Sequence, residues 1–191
     1  MPNKKGGKRT SGADLQPSAQ TLAALGELAL EWNCSRCDAL ERAVYHSKSS
    51  LAHAYHEAGH AVIALEFGLE LKSIEITKVK CPHPSELPAR LQLMVAGMIA
   101  QRKADVPEAY IAISGKLDQA KCEQVIAEDG LSKKQGIAAM ESARKAVEDL
   151  FEKKYIWSAV RRVAARLFEF WEMSPMEAAK VFEEERTKVE E

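Results

Sequence analysis

Leu22, Leu25, Leu28, Leu30 and Trp32 recur at mixed three- and four-residue steps, the spacing that gathers apolar side chains on one face of a helix. Pro17 suits the first turn of that helix, which the pattern carries to about residue 46. Ser47, Ser49 and Ser50 predict a break, with Ser50 as the cap of a second helix over 51–67 that Gly68 ends. Residues 71–79 alternate, Ile74 and Ile76 against Glu75 and Thr77, which predicts a strand. Cys81-Pro82-His83-Pro84 is a turn. The stretch 87–103 is apolar around much of its circumference and predicts a buried helix, and 104–114 predicts a loop. Further helices are expected over 115–129, 132–153, 155–171 and 175–188. The start of the last is the sharpest: Ser174-Pro175-Met176-Glu177 combines an N-cap, a first-turn proline and a capping-box glutamate. The fold class is therefore mainly α with one short strand region. Its organisation is a disordered basic arm over 1–16, an N-terminal helix over 17–49 and a helical domain over 50–191.

Composition narrows the function without naming it. The 191 residues are 46% apolar and 29% charged, which fits a globular chain and excludes a wholly disordered or collagenous one. Lys plus Arg number 27 against 28 for Asp plus Glu, a net charge of -1, so a surface built to bind nucleic acid is not expected. Lys4, Lys5, Lys8 and Arg9 leave only the arm as a place for an anionic partner. No apolar segment follows them, so a secretory signal is not expected, and no run reaches the ~18 residues that span a bilayer. Four cysteines, at 34, 37, 81 and 122, do not form a disulfide framework and point to a reducing cytoplasm. Cys34-Ser35-Arg36-Cys37 lacks the second pair of a zinc ribbon and reads as two cysteines one helical turn apart. Trp157, Phe168, Phe170 and Trp171 read as helix packing, and Glu183 to Glu185 as a solvated face.

The chemistry is concentrated in His56-Glu57-Ala58-Gly59-His60, an H-E-x-x-H pattern inside a helix. Residues i and i+4 lie about 40° apart on a helix, one turn up, so both imidazoles can face one ion. Glu57, one residue round, reaches the side where a bound water would sit. In a chain with five histidines the pattern is expected by chance only about 0.015 times. Two histidines leave a tetrahedral zinc in want of a third protein ligand. Glu66 and Glu70 lie on or just past the same helix and cannot close the tetrahedron. His53 falls on a neighbouring face, and His83 lies in a proline-flanked turn. Asp118, in the first turn of a later helix, is the better candidate, although a carboxylate there also suits the helix dipole.

Ala54-Tyr55-His56-Glu57-Ala58-Gly59-His60-Ala61-Val62 resembles the zinc peptidase domain of the FtsH-type AAA proteases. The likeness extends to the strand after the zinc helix, to Ala96-Gly97-Met98-Ile99-Ala100 on a glycine-bearing helix, and to Ser114-Gly115-Lys116-Leu117-Asp118-Gln119-Ala120. It covers roughly residues 50–185. It implies a zincin-like helical domain holding one zinc per chain on His56, His60 and Asp118, with Glu57 as general base. The chain departs from the family in having no P-loop, no ATPase module and no membrane anchor, and in carrying Met98 and Gln101 where the family usually has an arginine and a glutamate. The expectation is a stand-alone zinc metalloendopeptidase that cuts unfolded or flexible polypeptides without its own ATPase. The strand after the zinc helix, if at a sheet edge, would hold an extended peptide by main-chain pairing. A separate unfoldase or self-association would supply further partners. The alternative is an inactive, metal-containing peptidase-like adaptor or assembly protein, which the missing motor and the Met98 and Gln101 departures favour.

Overall fold

A computed structural model describes the backbone of residues 23, 27, 30 and 35–189, and the side chains of that set apart from 36–48. The expectations for the arm over 1–16, for Pro17 and for Cys34, and for the side chain of Cys37, fall outside that set. The chain divides into two compact units, Met1–His46 and Ser47–Glu191.

The described part is mainly helical with a small three-stranded sheet. The first described helix, α1 (Arg36–Glu66), runs without interruption through Ser47, Ser49 and Ser50, so the expected break is absent. Serine costs a helix at most about 0.7 kcal/mol per residue, too little to stop one flanked on both sides by good helix formers. Helix α1 ends as its sequence dictates. Gly68 takes φ +68°, its N–H donates to the Leu65 carbonyl, and the Leu69 N–H donates to Ala64, so two terminal carbonyls are satisfied.

The expected strand over 71–79 is a hairpin: β1 (Ser73–Glu75) and β2 (Lys78–Lys80) are joined through Ile76 and Thr77. They pair antiparallel, with Ser73 opposite Lys80, Ile74 opposite Val79 and Glu75 opposite Lys78. The alternation at Ile74 and Ile76 was a true signal of burial, but β1 buries Ile74 while Ile76 already belongs to the turn. The third strand, β3 (Glu172–Met173), was not expected. It pairs with β1 on the other side, so β1 is central and β2 is an edge. Trp171 makes this possible: with φ +66° it reverses the chain after the preceding helix, and its carbonyl accepts from the Ile76 N–H at 2.7 Å.

Helix α2 (Leu87–Lys103) lies at the centre. Leu91 and every residue from Leu93 to Gln101 are buried, which is why its sequence shows so little amphipathic contrast. The segment expected as a loop contains α3 (Glu108–Ser114), a seven-residue helix started by Pro107 and anchored by buried Ile111. One buried residue in two turns is too short a pattern to read as periodic. Helices α4 (Lys116–Glu128) and α5 (Lys133–Glu152) pack against α2, and Ser132 and Gln135 form a capping box at the start of α5. Helix α6 (Lys154–Phe170) packs on α7 (Pro175–Thr187). At the start of α7, Ser174 accepts from the Glu177 N–H as expected, while the Glu177 carboxylate pairs with Arg166 at 2.8 Å.

Two further expectations are corrected. Trp157 stacks near Tyr55, but Phe168, Phe170 and Trp171 are exposed. They fall off the face of α6 that buries Ile156, Ala159, Val160, Val163, Ala164 and Leu167 at three- and four-residue steps. Glu185 is not solvated: it is buried against α6, where Arg162 donates to it at 2.8 Å. Among the described residues no helix is long and apolar enough to cross a membrane.

Candidate metal centre

Small residues bring the site together. A side chain at Gly59 would stand 2.7 Å from the Ala100 Cβ and the Ala96 carbonyl, so glycine lets α1 and α2 cross at close range. A side chain at Gly97 would meet the rings of both His56 and His60 at 2.7 Å. Both imidazoles thus reach the α2 backbone at Gly97, with their rings nearly perpendicular to one another at 80°. Asp118 comes from the first turn of α4, just after Gly115. Met98 occupies the space that a side chain at Gly115 would need, so it is part of the packing that seats this turn.

His56 Nε2 and His60 Nε2 approach Asp118 Oδ2 at 2.8 and 3.1 Å, and the two nitrogens are 3.1 Å apart. Backbone carbonyls settle which ring nitrogens carry protons, because a carbonyl oxygen can only accept. His60 Nδ1 faces the Leu93 carbonyl at 2.8 Å and must donate to it. The Gln101 amide nitrogen donates to the Ala52 carbonyl at 2.9 Å, which turns the amide oxygen toward Ser114 Oγ at 3.0 Å and His56 Nδ1 at 3.2 Å. His56 Nδ1 therefore donates as well. In the neutral imidazoles both Nε2 atoms are left with bare lone pairs, aimed at each other and at a carboxylate oxygen.

Three acceptors converging on one point repel unless positive charge lies between them. Protons on the imidazoles supply it in one form, as ion pairs to Asp118. A metal ion supplies it in the other, and the His56, His60 and Asp118 donor atoms form a group that could hold one. The donor set fits such an ion: a tetrahedral centre with bonds of ~2.0–2.1 Å spaces its ligands about 3.3 Å apart, a few tenths of an ångström from the separations seen. Lys121 donates to the other carboxylate oxygen, Oδ1, at 3.0 Å, which leaves Oδ2 to face the imidazoles. Burial alone would raise the Asp118 pKa, but the hydrogen bonds and charge of the two histidines outweigh it and hold the carboxyl well below the usual range.

Glu57 is buried beside this group, and desolvation pushes its pKa up to about 7 despite the neighbouring His56. The Val79 backbone N–H, on the edge strand β2, also reaches the Glu57 carboxyl. Both carboxyls and both histidines open on a cavity of about 550 Å³. Lys78, Val79 and Lys80 line one part of its wall, and Ile113, Leu117 and Lys121 line another.

The remaining candidates separate cleanly. His53 and His83 line the cavity but stand outside the metal group. Cys81 lines it too, with its thiol pushed up by burial. Glu66 is held by Tyr155 at 3.0 Å and Lys153 at 3.2 Å, away from the histidines. Gln101 is the functional residue that sequence reasoning undervalued. Read as a mere departure, it is fully buried and is the hydrogen-bond partner of a candidate ligand. The signal was an amide directly after the unbroken apolar run from Leu93 to Ala100. Comparisons with models of known protein families and with curated proteins find no match.

Proposed function

We propose that the chain is a zinc-dependent metalloendopeptidase related to the peptidase domain of the FtsH-type AAA proteases, hydrolysing unfolded or flexible polypeptides in the cytoplasm. The observation that carries this reading is the juxtaposition of three converging lone-pair donors with a buried carboxyl poised near neutrality. His56, His60 and Asp118 would hold one zinc, in keeping with the nitrogen and oxygen ligands of catalytic zinc sites that keep a fourth position open. Bound there, zinc supplies an activated water and a Lewis acid for the scissile carbonyl. Glu57 takes the proton of the attacking water and returns it to the leaving amine, and its burial beside the metal group favours the protonated form it must pass through. Gln101 and the Leu93 carbonyl keep the Nδ1 protons in place, so that each Nε2 stays a ligand.

The sheet supports a polypeptide substrate. The strand expected to hold it, 71–78, supplies the central β1, so the pairing edge moves to β2 (Lys78–Lys80), the strand that lines the cavity. An extended chain added there would run past Glu57. Glu57 is also what favours hydrolysis over the adaptor reading, since an assembly protein has no use for a carboxyl desolvated at a metal group. The test is cleavage of an unfolded protein by the zinc-loaded chain and by Glu57→Gln, with zinc counted by elemental mass spectrometry. Retained zinc with cleavage lowered about 10²–10⁴-fold is expected. Unchanged cleavage in the variant overturns the mechanism.

A further inference from the structure

The walls of the cavity carry an unequal distribution of charge. The carboxylates lining it are Asp118 and Glu57, and both belong to its centre. Its lining lysines are Lys78, Lys80 and Lys121, and Lys121 is already engaged by Asp118. That excess of positive charge stands against a chain whose net charge is -1. Lys78 and Lys80 are two residues apart on β2, so they share one face of the strand, and both are exposed, while Val79 packs against the core. Among the described residues neither lysine forms an ion pair with a carboxylate. Across the ladder Lys80 faces Ser73, and Lys78 faces Glu75 without an ion pair. The wall formed by α3 and α4 differs in kind: Ile113 and Leu117 are 65% and 73% exposed, and both line the cavity.

A strand added to the β2 edge would place alternate side chains on the face that carries Lys78 and Lys80. Opposite charges directly across or diagonal to one another in a sheet attract, and like charges repel. Two lysines side by side on that strand, without an ion pair among the described residues, also draw ligands of negative charge. We infer that the groove selects extended polypeptide segments with acidic side chains at alternating positions, laid along β2 with their carboxylates against Lys78 and Lys80 and apolar side chains toward Ile113 and Leu117. This rests on the peptidase reading for the use of the groove, and it adds the class of sequence that the groove takes.

The test separates binding from cleavage. Zinc-loaded Glu57→Gln protein is titrated into three dye-labelled, unstructured peptides of one scaffold, carrying glutamate, glutamine or lysine at alternating positions, and binding is read by fluorescence anisotropy. The glutamate peptide is expected to bind about five- to tenfold more tightly than the glutamine peptide at low salt, with the lysine peptide weakest and the difference fading at high salt. Adding Lys78→Glu and Lys80→Glu, both at exposed positions, reverses the order. Equal affinities, no binding of any peptide, or an acidic preference that survives the lysine substitutions would each overturn the inference. Cleavage of the same peptides by the wild-type chain tests the underlying reading separately. Lysine-dependent binding without cleavage removes the peptidase and leaves the charge selection, and cleavage with charge-blind binding does the reverse.

Discussion

The amide oxygen of Gln101 stands 3.2 Å from His56 Nδ1, and its nitrogen is tied to the Ala52 carbonyl at 2.9 Å. One buried amide thus spans α2 and α1 and leaves His56 a single way to carry its proton. If this orients a ligand, Gln101→Met, which keeps the volume but loses both hydrogen bonds, should weaken zinc binding about 10–100-fold in competition with a chromophoric chelator. Gln101→Glu, which can still accept from His56, should retain it. The nitrogen shifts of His56 give a readout that packing alone does not move: the Nδ1–H form should dominate in the wild type and be lost in Gln101→Met. Wild-type zinc affinity in Gln101→Met would remove the positioning role.

Gly97 makes a second, steric prediction. A methyl group there would stand 2.7 Å from both imidazole rings, with the α2 backbone behind it unable to retreat. Gly97→Ala should therefore displace the histidines, destabilise the fold by about 1–3 kcal/mol and lower the zinc bound per chain. Circular dichroism for helix content, denaturant melts and elemental analysis check it together. Full zinc occupancy would show that the rings have room to move.

The sequence made the centre legible because the H-E-x-x-H spacing encodes geometry within one helix, and His56, Glu57 and His60 needed nothing else. Asp118 lies 58 residues beyond His60; its place in a helix first turn made it a candidate, and the resemblance made it the expected ligand. The helices after residue 114 were readable because strong signals bound them, such as Gly130 at φ +70° and the Ser132 and Ser174 caps. The errors have different sources. Three serines are too weak a local signal to break α1, one buried residue is too short a pattern to announce α3, and β3 exists only through its pairing with the distant β1. Trp171 shows the limit: no propensity foretells a tryptophan at φ +66°, a conformation costing about 1–2 kcal/mol that serves to align β3 with β1.

Metal removal gives a third prediction. A ligand that binds only the folded chain stabilises it by RT ln(1 + [L]/Kd), about 4 kcal/mol at a thousandfold excess over Kd. Zinc added to chelator-stripped protein should raise the thermal midpoint accordingly, and Asp118→Asn should abolish most of the rise. A full zinc-induced rise in Asp118→Asn would place the third ligand elsewhere, with His83 on the cavity wall the next to test.

The last prediction concerns Glu57 in the metal-free protein. Its ordinary pKa of 4.5 is pushed up to about 7 by burial. Between those values the folded chain binds more protons than the unfolded one, so stability falls as pH rises. The contribution is fully present below pH 4.5 and is lost as pH climbs through about 7, a change of roughly 3 kcal/mol. Asp118 acts in the opposite sense and in a separate window. Its pKa is lowered, so its contribution is present above its ordinary value of 3.8 and is lost only in stronger acid. Glu57→Gln removes the first dependence while leaving the second. Urea midpoints of the stripped wild type and variant should therefore diverge from pH 4.5 to 8, with the variant gaining on the wild type. Parallel curves would mean that Glu57 is solvated in the metal-free state, and the general base would then need a substrate that displaces water from the cavity to raise its pKa.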